Sequence, residues 1–559
     1  MNKQLFLYDT TLRDGAQYKG ISFSLQDKLK ITKLLDDFGM DYIEGGWPGS
    51  NPKDEAYFMH AQYLGLKHSK LVAFGATRKP NTATGKDPQL ASLLNAQTSV
   101  VALVSKFWQY HVETVLRTET SENLKMIYDS VDFFKSHGRE VILDAEHFFD
   151  GFKYNSDYSF QCLEAAIKAG VDNVTLCDTN GGTMPDEIAT IVEQVKNKFP
   201  QLSLGIHCHN DCELAVANSL ASVNAGVTLL QGTVNGYGER CGNANLISLL
   251  GSLLLKPSFN QSFSFNSKVQ ASQLTALSQQ VADIANMPLK NDAAYVGNHA
   301  FSHKGGIHVA AIAKASQTYE HIDPDVVGNQ RDISISELSG KSNVLLQAEK
   351  LGFDVSQNFS QVLSSIKALE QSGLTLENAE GSFEMLVRKH EEGFAPLFTV
   401  ENIQVTVTNL KRSSELDTEL CTASVKLSVN NETTHMVEEA TGPVDAFNRA
   451  LKKALSNFFP QVEQMLLTDY KVSILDPENA SAATTRVWLQ SGFGDERWAT
   501  IGCSDNILKA STQALIDSYQ LFLIKYQNSE VTSAFNADSQ HINLDTNNSH
   551  QEVQNNGNL

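Results

Sequence analysis

Short apolar runs of strand character alternate eight times with amphipathic stretches of helical period between the N-terminus and about residue 255. The strands are expected over 5–8, 42–45, 71–75, 100–104, 141–144, 173–177, 204–207 and 229–234. The clearest helices are expected over 25–38, 158–169, 186–199 and 214–225, with Gly39, Gly138, Gly170 and Gly226 placed to end helices. Eight such units over about 250 residues predict a (β/α)8 TIM barrel, an α/β fold of parallel strands with helices outside. The rival is an open, doubly wound sheet, which would favour a glycine-rich dinucleotide loop after the first strand. That place holds Asp9-Thr10-Thr11-Leu12-Arg13-Asp14-Gly15, which is charged and lacks the pattern.

The chain continues far beyond one barrel, to 559 residues. Its 64 acidic against 44 basic residues, a net charge of −20, argue against nucleic acid and anionic membrane as partners. An anionic substrate would need a local basic pocket. The seven cysteines, Cys162, Cys177, Cys208, Cys212, Cys241, Cys421 and Cys503, form no Cys-x-x-Cys pair. An odd, scattered set fits a reducing cytoplasm rather than a disulfide framework. Cys208 and Cys241 stand beside candidate site residues, where small buried filler is the preferred reading over nucleophile. The N-terminus runs straight into a strand without a signal-peptide apolar region, and no apolar run is long enough to span a bilayer. A cytoplasmic protein is therefore expected.

In a barrel, chemistry gathers where the strands end. In turn those ends offer Arg13 and Asp14, Glu44, then Glu146 and His147, then Asp178-Thr179-Asn180. The seventh strand closes in His207-Cys208-His209-Asn210-Asp211, and after the eighth comes Asn235-Gly236-Tyr237-Gly238-Glu239-Arg240-Cys241-Gly242-Asn243. Side chains alternate along a strand, so His207 and His209 point the same way and can form half of a divalent-cation site. Two core histidines bonded to their neighbours would explain that pair equally well taken alone. The full set of strand ends would need a separate bland explanation for every member, as a cap or a loop ion pair.

Residues 258–267, rich in Phe, Ser and Asn, read as a linker. Two mostly helical stretches are expected over 269–284 and 291–397, the second containing His299, His303 and Gly305-Gly306-Ile307-His308. From about Phe398 the pattern becomes alternating. Three strands and a helix occur twice, about 65 residues per copy, an internal (βββα)2 duplication suited to ligand binding or dimerisation. This gives four expected segments: a barrel over 1–257, a helical region contributing to the active site over 258–397, a regulatory domain over 398–528, and a tail over 529–559. The tail is polar and Asn-rich from Ser533, and disorder is expected there.

These residues resemble the metal-dependent acyl-CoA condensing enzymes that include 2-isopropylmalate, homocitrate and citramalate synthases. The resemblance is carried by Asp9 to Gly15, His207 to Asp211, Gly236 to Asn243, Gly306-Ile307-His308 and the duplicated C-terminal domain, and covers nearly the whole chain. Three further stretches, Glu44 to Asp54, Ala145 to Gly151 and Ser336 to Asn343, are most similar to one branch of citramalate synthases. The resemblance implies condensation of acetyl-CoA with pyruvate and water to citramalate and CoA, in isoleucine biosynthesis. It implies a divalent metal (Mn²⁺, Mg²⁺ or Zn²⁺) held by Asp14, His207, His209 and Asn243. Arg13 would hold the keto-acid oxygen, and Thr179 would contact its carboxylate. Asp144 stands near the keto-acid pocket, where some relatives carry an aromatic. Glu146 and His308 would handle the acetyl-CoA proton. Arg331 occupies a position where isopropylmalate synthases tend to have a tyrosine. The resemblance also implies a homodimer inhibited by isoleucine or leucine.

The residue types suit that chemistry. A cation with one carboxylate, two imidazoles and open positions can chelate a 2-keto acid and polarise its carbonyl. Arg13 adds a positive charge that does not titrate. A base tuned near neutrality must then take a proton from the acetyl methyl. The alternatives are a condensing enzyme for another keto acid, as in 2-isopropylmalate or homocitrate synthases, an acyl-CoA lyase or aldolase on the same barrel, or a non-catalytic amino-acid sensor. The long C-terminal region argues against the lyase, and the intact set of ionisable residues against the sensor.

Overall fold

A computed structural model describes residues 2–333, 341–355, 358–376, 378–410 and 418–526. The polar tail from Ser533 and the stretch Ser336 to Gly340 lie outside the described residues. The chain divides into two compact units, Met1–Ser302 with Ser316–Asp332, and His303–Ala315 with Ile333–Leu559.

In the first unit eight parallel strands close into a barrel: Phe6–Asp9, Tyr42–Gly46, Lys70–Ala76, Val100–Lys106, Glu140–Glu146, Asn173–Asp178, Leu204–Cys208 and Leu229–Gly232. The first strand pairs with the last in register, Leu7 beside Leu230 and Tyr8 beside Gln231. Both faces of each strand are buried, so the strands read as apolar runs. On the fourth strand Val101 and Leu103 pack outward against the helices, while Val100 and Ala102 join Tyr8, Val72, Phe74 and Ile142 in a separate inner core. Helix Leu25–Phe38 starts in a capping box between Ser24 and Asp27. It stops at Gly39, whose φ of 99° is left-handed and open to glycine at little cost.

The expected strands differ from the observed ones mainly at their ends. The fourth runs two residues further, to Lys106, and the fifth to Glu146. The eighth stops two residues early, at Gly232, because the chain turns through Val234–Gly236, with Asn235 at a φ of 61°. The stretch read as a plain linker holds a short helix, Pro257–Asn260, and a two-residue strand, Phe263–Ser264. That strand pairs in parallel with Lys3–Gln4, next to the barrel's first strand. Two residues are too few to show a period, so composition alone could not reveal it.

In the second unit helices Lys341–Lys350, Phe359–Gln371 and Glu380–Lys389 share a core around Val344, Val362, Ile366 and Phe383. The duplication follows. Strands Thr399–Leu410, Thr418–Val429 and Glu432–Ala440 form an antiparallel meander before helix Pro443–Ser456. Strands Leu466–Ile474, Thr485–Phe493 and Glu496–Ser504 repeat it before helix Ile507–Tyr526. The first helix buries Ala446, Phe447, Ala450, Leu451, Ala454 and Leu455, one continuous stripe at helical spacing. Both copies contribute to one core. Among the described residues no helix is long and apolar enough to cross a membrane.

Candidate active site

The C-terminal ends of the barrel strands surround a cavity of about 440 Å³, lined by Arg13, Asp14, Asp144, Glu146, Thr179, His207 and His209 among others. Seven of the nine residues to which the resemblance gives a place in the site thus reach one space. Asn243, buried, is joined to His209 by a β-bridge. His308 lies on helix Gly306–Ile312 of the second unit.

Asp14, His207 and His209 are all buried, and each offers a ligand atom within 4.8 Å of the others. Asp14 Oδ2 lies 3.3 Å from His207 Nε2 and 3.4 Å from an Arg13 guanidinium nitrogen. Burial would push the Asp14 carboxyl up, but Arg13 and the His207 hydrogen bond outweigh it and hold the group well below the usual carboxylate range. His207 responds in the opposite sense. Burial lowers its pKa, yet the bond to Asp14 and that anion's charge raise it above the ordinary imidazole value. Burial, helped by the charge of His207, drops His209 to about 3, so its lone pair is available at neutral pH.

The donor set fits a divalent cation. Among the described residues, buried Asn243 Oδ1 and Nδ2 and buried His209 Nδ1 have no protein hydrogen-bond partner. Buried polar groups are rarely left so. Gly238 explains how the asparagine fits: a Cβ there would lie 2.8 Å from Asn243 Oδ1. Gly242, at a φ of 87°, would drive a Cβ to 2.0 Å from the Gly236 oxygen. The glycines of the Gly236 to Asn243 motif therefore serve close backbone approach. Because His207 carries a raised pKa, a cation must displace its proton. We expect about one proton released per Mn²⁺ bound below that pKa. The affinity should fall as pH falls, since protonation removes a ligand. Calorimetry in buffers of different ionisation enthalpy reads the proton count; no proton exchange at any pH below neutrality would contradict it.

Arg13 is fixed from three sides. Its Nε donates to Glu44, its Cζ sits 3.8 Å above the Phe74 ring, and Asp14 flanks it. Glu44 accepts a second bond, from the Tyr8 hydroxyl at 2.5 Å. Thr179 Oγ1 accepts the backbone N–H of His147 at 2.8 Å. Its hydroxyl proton is thereby left for another acceptor. Arg240 donates to the Thr179 carbonyl at 2.7 Å and pairs with Asp211, tying the loops after the sixth, seventh and eighth strands together. Asp144 accepts from Gln231 Nε2 at 2.9 Å, and its pKa rises to about 7 through burial and then the Glu44 charge.

Several other polar groups noted in the sequence are structural. Asp178 accepts from the Thr183 hydroxyl at 2.9 Å. Arg331 pairs with Glu320 through two nitrogens at 2.6 and 2.7 Å. Cys208 is buried, and burial raises its thiol well above the ordinary value, which removes the thiolate a nucleophile needs. Cys241 is exposed, so the expectation of buried filler is corrected for it.

Sequence reading missed Lys106 and Gln231. Lys106 ends the fourth strand in register with Glu146 and pairs with it. Ending that strand at residue 104 hid both the lysine and the register. Gln231 is an uncharged amide inside the apolar run Leu229-Leu230-Gln231-Gly232, and that interruption was the available signal.

Three family models match the chain. They are HMGL-like over residues 4–281, Homocitrate synthase post-HMGL domain-like over 295–373, and LeuA allosteric (dimerisation) domain over 377–523. The (R)-citramalate synthase of Aquifex aeolicus is 46% identical over 528 residues, covering 94% of this chain and 99% of its own. That of Synechocystis sp. is 45% identical over 526 residues, covering 92% and 95%. A 2-isopropylmalate synthase of Methanocaldococcus jannaschii is 29% identical over 529 residues, covering 93% and 95%.

Proposed function

The chain belongs to the (R)-citramalate synthases, acyltransferases that condense acetyl-CoA, and we propose that the barrel cavity joins the acetyl group to pyruvate through the residues described above. The observation that carries the residue assignment is the convergence of Asp14, His207 and His209, beside unpartnered Asn243, on the cavity that also holds Arg13 and Glu146. Asp14, His207, His209 and Asn243 would hold a divalent cation, which would supply Lewis-acid polarisation of the keto group.

The chain's own groups do the rest. Thr179 gives its hydroxyl proton to the keto-acid carboxylate, since its oxygen already accepts from His147. Asp144 lies at the wall of the same pocket and bounds the keto acid there. Arg13 meets the negative charge that develops on the keto oxygen as the new carbon–carbon bond forms. Glu146 takes the proton from the acetyl methyl, with Lys106 beside it as counter-charge. His308 is assigned, on the family resemblance, as a second proton-handling group of the acetyl-CoA half. Water then cleaves the thioester, releasing CoA as the free thiol and citramalate as the acid.

A Glu146→Gln variant tests this division. CoA release should fall on the order of 10²–10⁴, the usual worth of a general base, while pyruvate still binds. Loss of pyruvate binding with little loss of turnover would reverse the assignment. For the C-terminal domain we propose dimerisation and inhibition by isoleucine or leucine, supported by the match to the LeuA allosteric (dimerisation) domain. An inhibitor must bind better to a less active state. The same thiol assay with each amino acid reads it, and an unchanged rate with both rejects the proposal.

A further inference from the structure

Gln231 is fully buried at the end of the eighth strand. Enclosing a primary amide in a barrel is costly unless its donors and acceptor are all met. Here they are met in one direction only. On the exposed side Asn173 Nδ2 donates to Ser203 Oγ at 3.0 Å, which leaves Asn173 Oδ1 as the acceptor end. The Thr175 hydroxyl donates to that oxygen at 3.2 Å, so its own proton is spent. Thr175 Oγ1 can then only accept, and it does so from Gln231 Nε2 at 3.2 Å. The second proton of Gln231 Nε2 goes to Asp144 Oδ1 at 2.9 Å. With both amide protons committed, Gln231 Oε1 faces His207 Nδ1 at 2.9 Å and must accept from it.

The polarity of this ladder runs from Ser203 through Asn173, Thr175 and Gln231 to His207. In the neutral imidazole it places the proton on Nδ1 and the lone pair on Nε2, the nitrogen that faces Asp14. Space for the ladder is also built in. A Cβ at Gly205 would stand 2.5 Å from Thr175 Oγ1 and 3.0 Å from Asn173 Oδ1, so any other residue at 205 would break it.

We propose that Gln231 is a positioning residue for the metal site: it fixes the tautomer and ring orientation of His207, and the Asn173–Thr175 ladder sets the direction of its amide. Partners of ligand histidines characteristically do this, and their loss costs about 10–100-fold in metal affinity. The inference rests on the reading that Asp14, His207 and His209 hold a divalent ion.

The test is Mn²⁺ binding to the full-length protein without substrates, read by the electron paramagnetic resonance of free Mn²⁺. The wild type should bind one Mn²⁺ per chain. Gln231→Met keeps the length of the side chain but loses the acceptor, and should bind about 10–100-fold more weakly. Gln231→Glu restores an acceptor and shares a proton with Asp144 as close carboxyl pairs do, so it should stay within about threefold of wild type. Thr175→Val loses a support of the amide but leaves the Asp144 bond, and should also stay within about threefold. Should the methionine variant not fold, Gln231→Asn, which withdraws the amide from His207, is read against the same limits. Wild-type affinity in Gln231→Met, or equal losses in Gln231→Met and Gln231→Glu, overturns the proposal. No Mn²⁺ bound by the wild type itself would instead overturn the metal reading on which it rests.

Discussion

An Asp14→Ala variant is expected to lose Mn²⁺ binding and to lower kcat/KM for CoA release on the order of 10³, equivalent to about 4 kcal/mol of lost transition-state stabilisation. Asp14 is the sole carboxylate of the buried group Asp14, His207 and His209. It also balances two neighbours, the Arg13 guanidinium and His207. Without it the group keeps two imidazoles but no carboxylate ligand, beside a guanidinium that Glu44 still pairs. Binding and turnover should therefore fail together. Equilibrium dialysis with Mn²⁺ and thiol release on the same preparation measure both. Turnover within tenfold of wild type, or full activity without bound metal, would contradict the assignment.

The second large effect is expected from Arg13→Lys. Both side chains are cations, so a purely electrostatic role would survive. The structure uses more than charge. Arg13 donates through Nε to Glu44, sets its Cζ 3.8 Å from the centre of the Phe74 ring and still brings Nη1 to 3.4 Å from Asp14. A lysine ammonium cannot hold that fork or stack by its plane. We expect kcat to fall about 10²–10³-fold, by comparison with the loss of one preorganised donor to a developing oxyanion. The dichroism spectrum should be unchanged, because lysine keeps a cation beside buried Glu44. A full-activity lysine variant would reduce Arg13 to a structural counter-ion of Glu44.

Most of the barrel was legible because its physics is periodic. Helix Leu25–Phe38 was read to the residue from its apolar spacing and Gly39. The strands were found because parallel strands buried on both faces are unbroken apolar runs. The duplicated meanders were equally visible through alternation. What failed had no period to read: the two-residue pairing of Lys3–Gln4 with Phe263–Ser264, and strand ends where polar side chains begin. That second kind of error matters most, since the strand ends are the site. Stopping at Val104 removed Lys106 from view, and with it the partner of Glu146. The metal-ligand candidates stood out by residue type and spacing, but the ladder behind His207 did not. Asn173, Thr175, Gly205 and Gln231 come from three different strands, and only closure of the barrel brings them together.

The most direct measurement is thiol release from acetyl-CoA by the purified full-length protein with Mn²⁺ or Mg²⁺, comparing pyruvate, 2-oxobutanoate, 3-methyl-2-oxobutanoate and 2-oxoglutarate, with and without a chelator. The account predicts strong preference for pyruvate, loss of the reaction with chelator and its return with metal. Preference for 3-methyl-2-oxobutanoate, or release that persists in chelator, would contradict it.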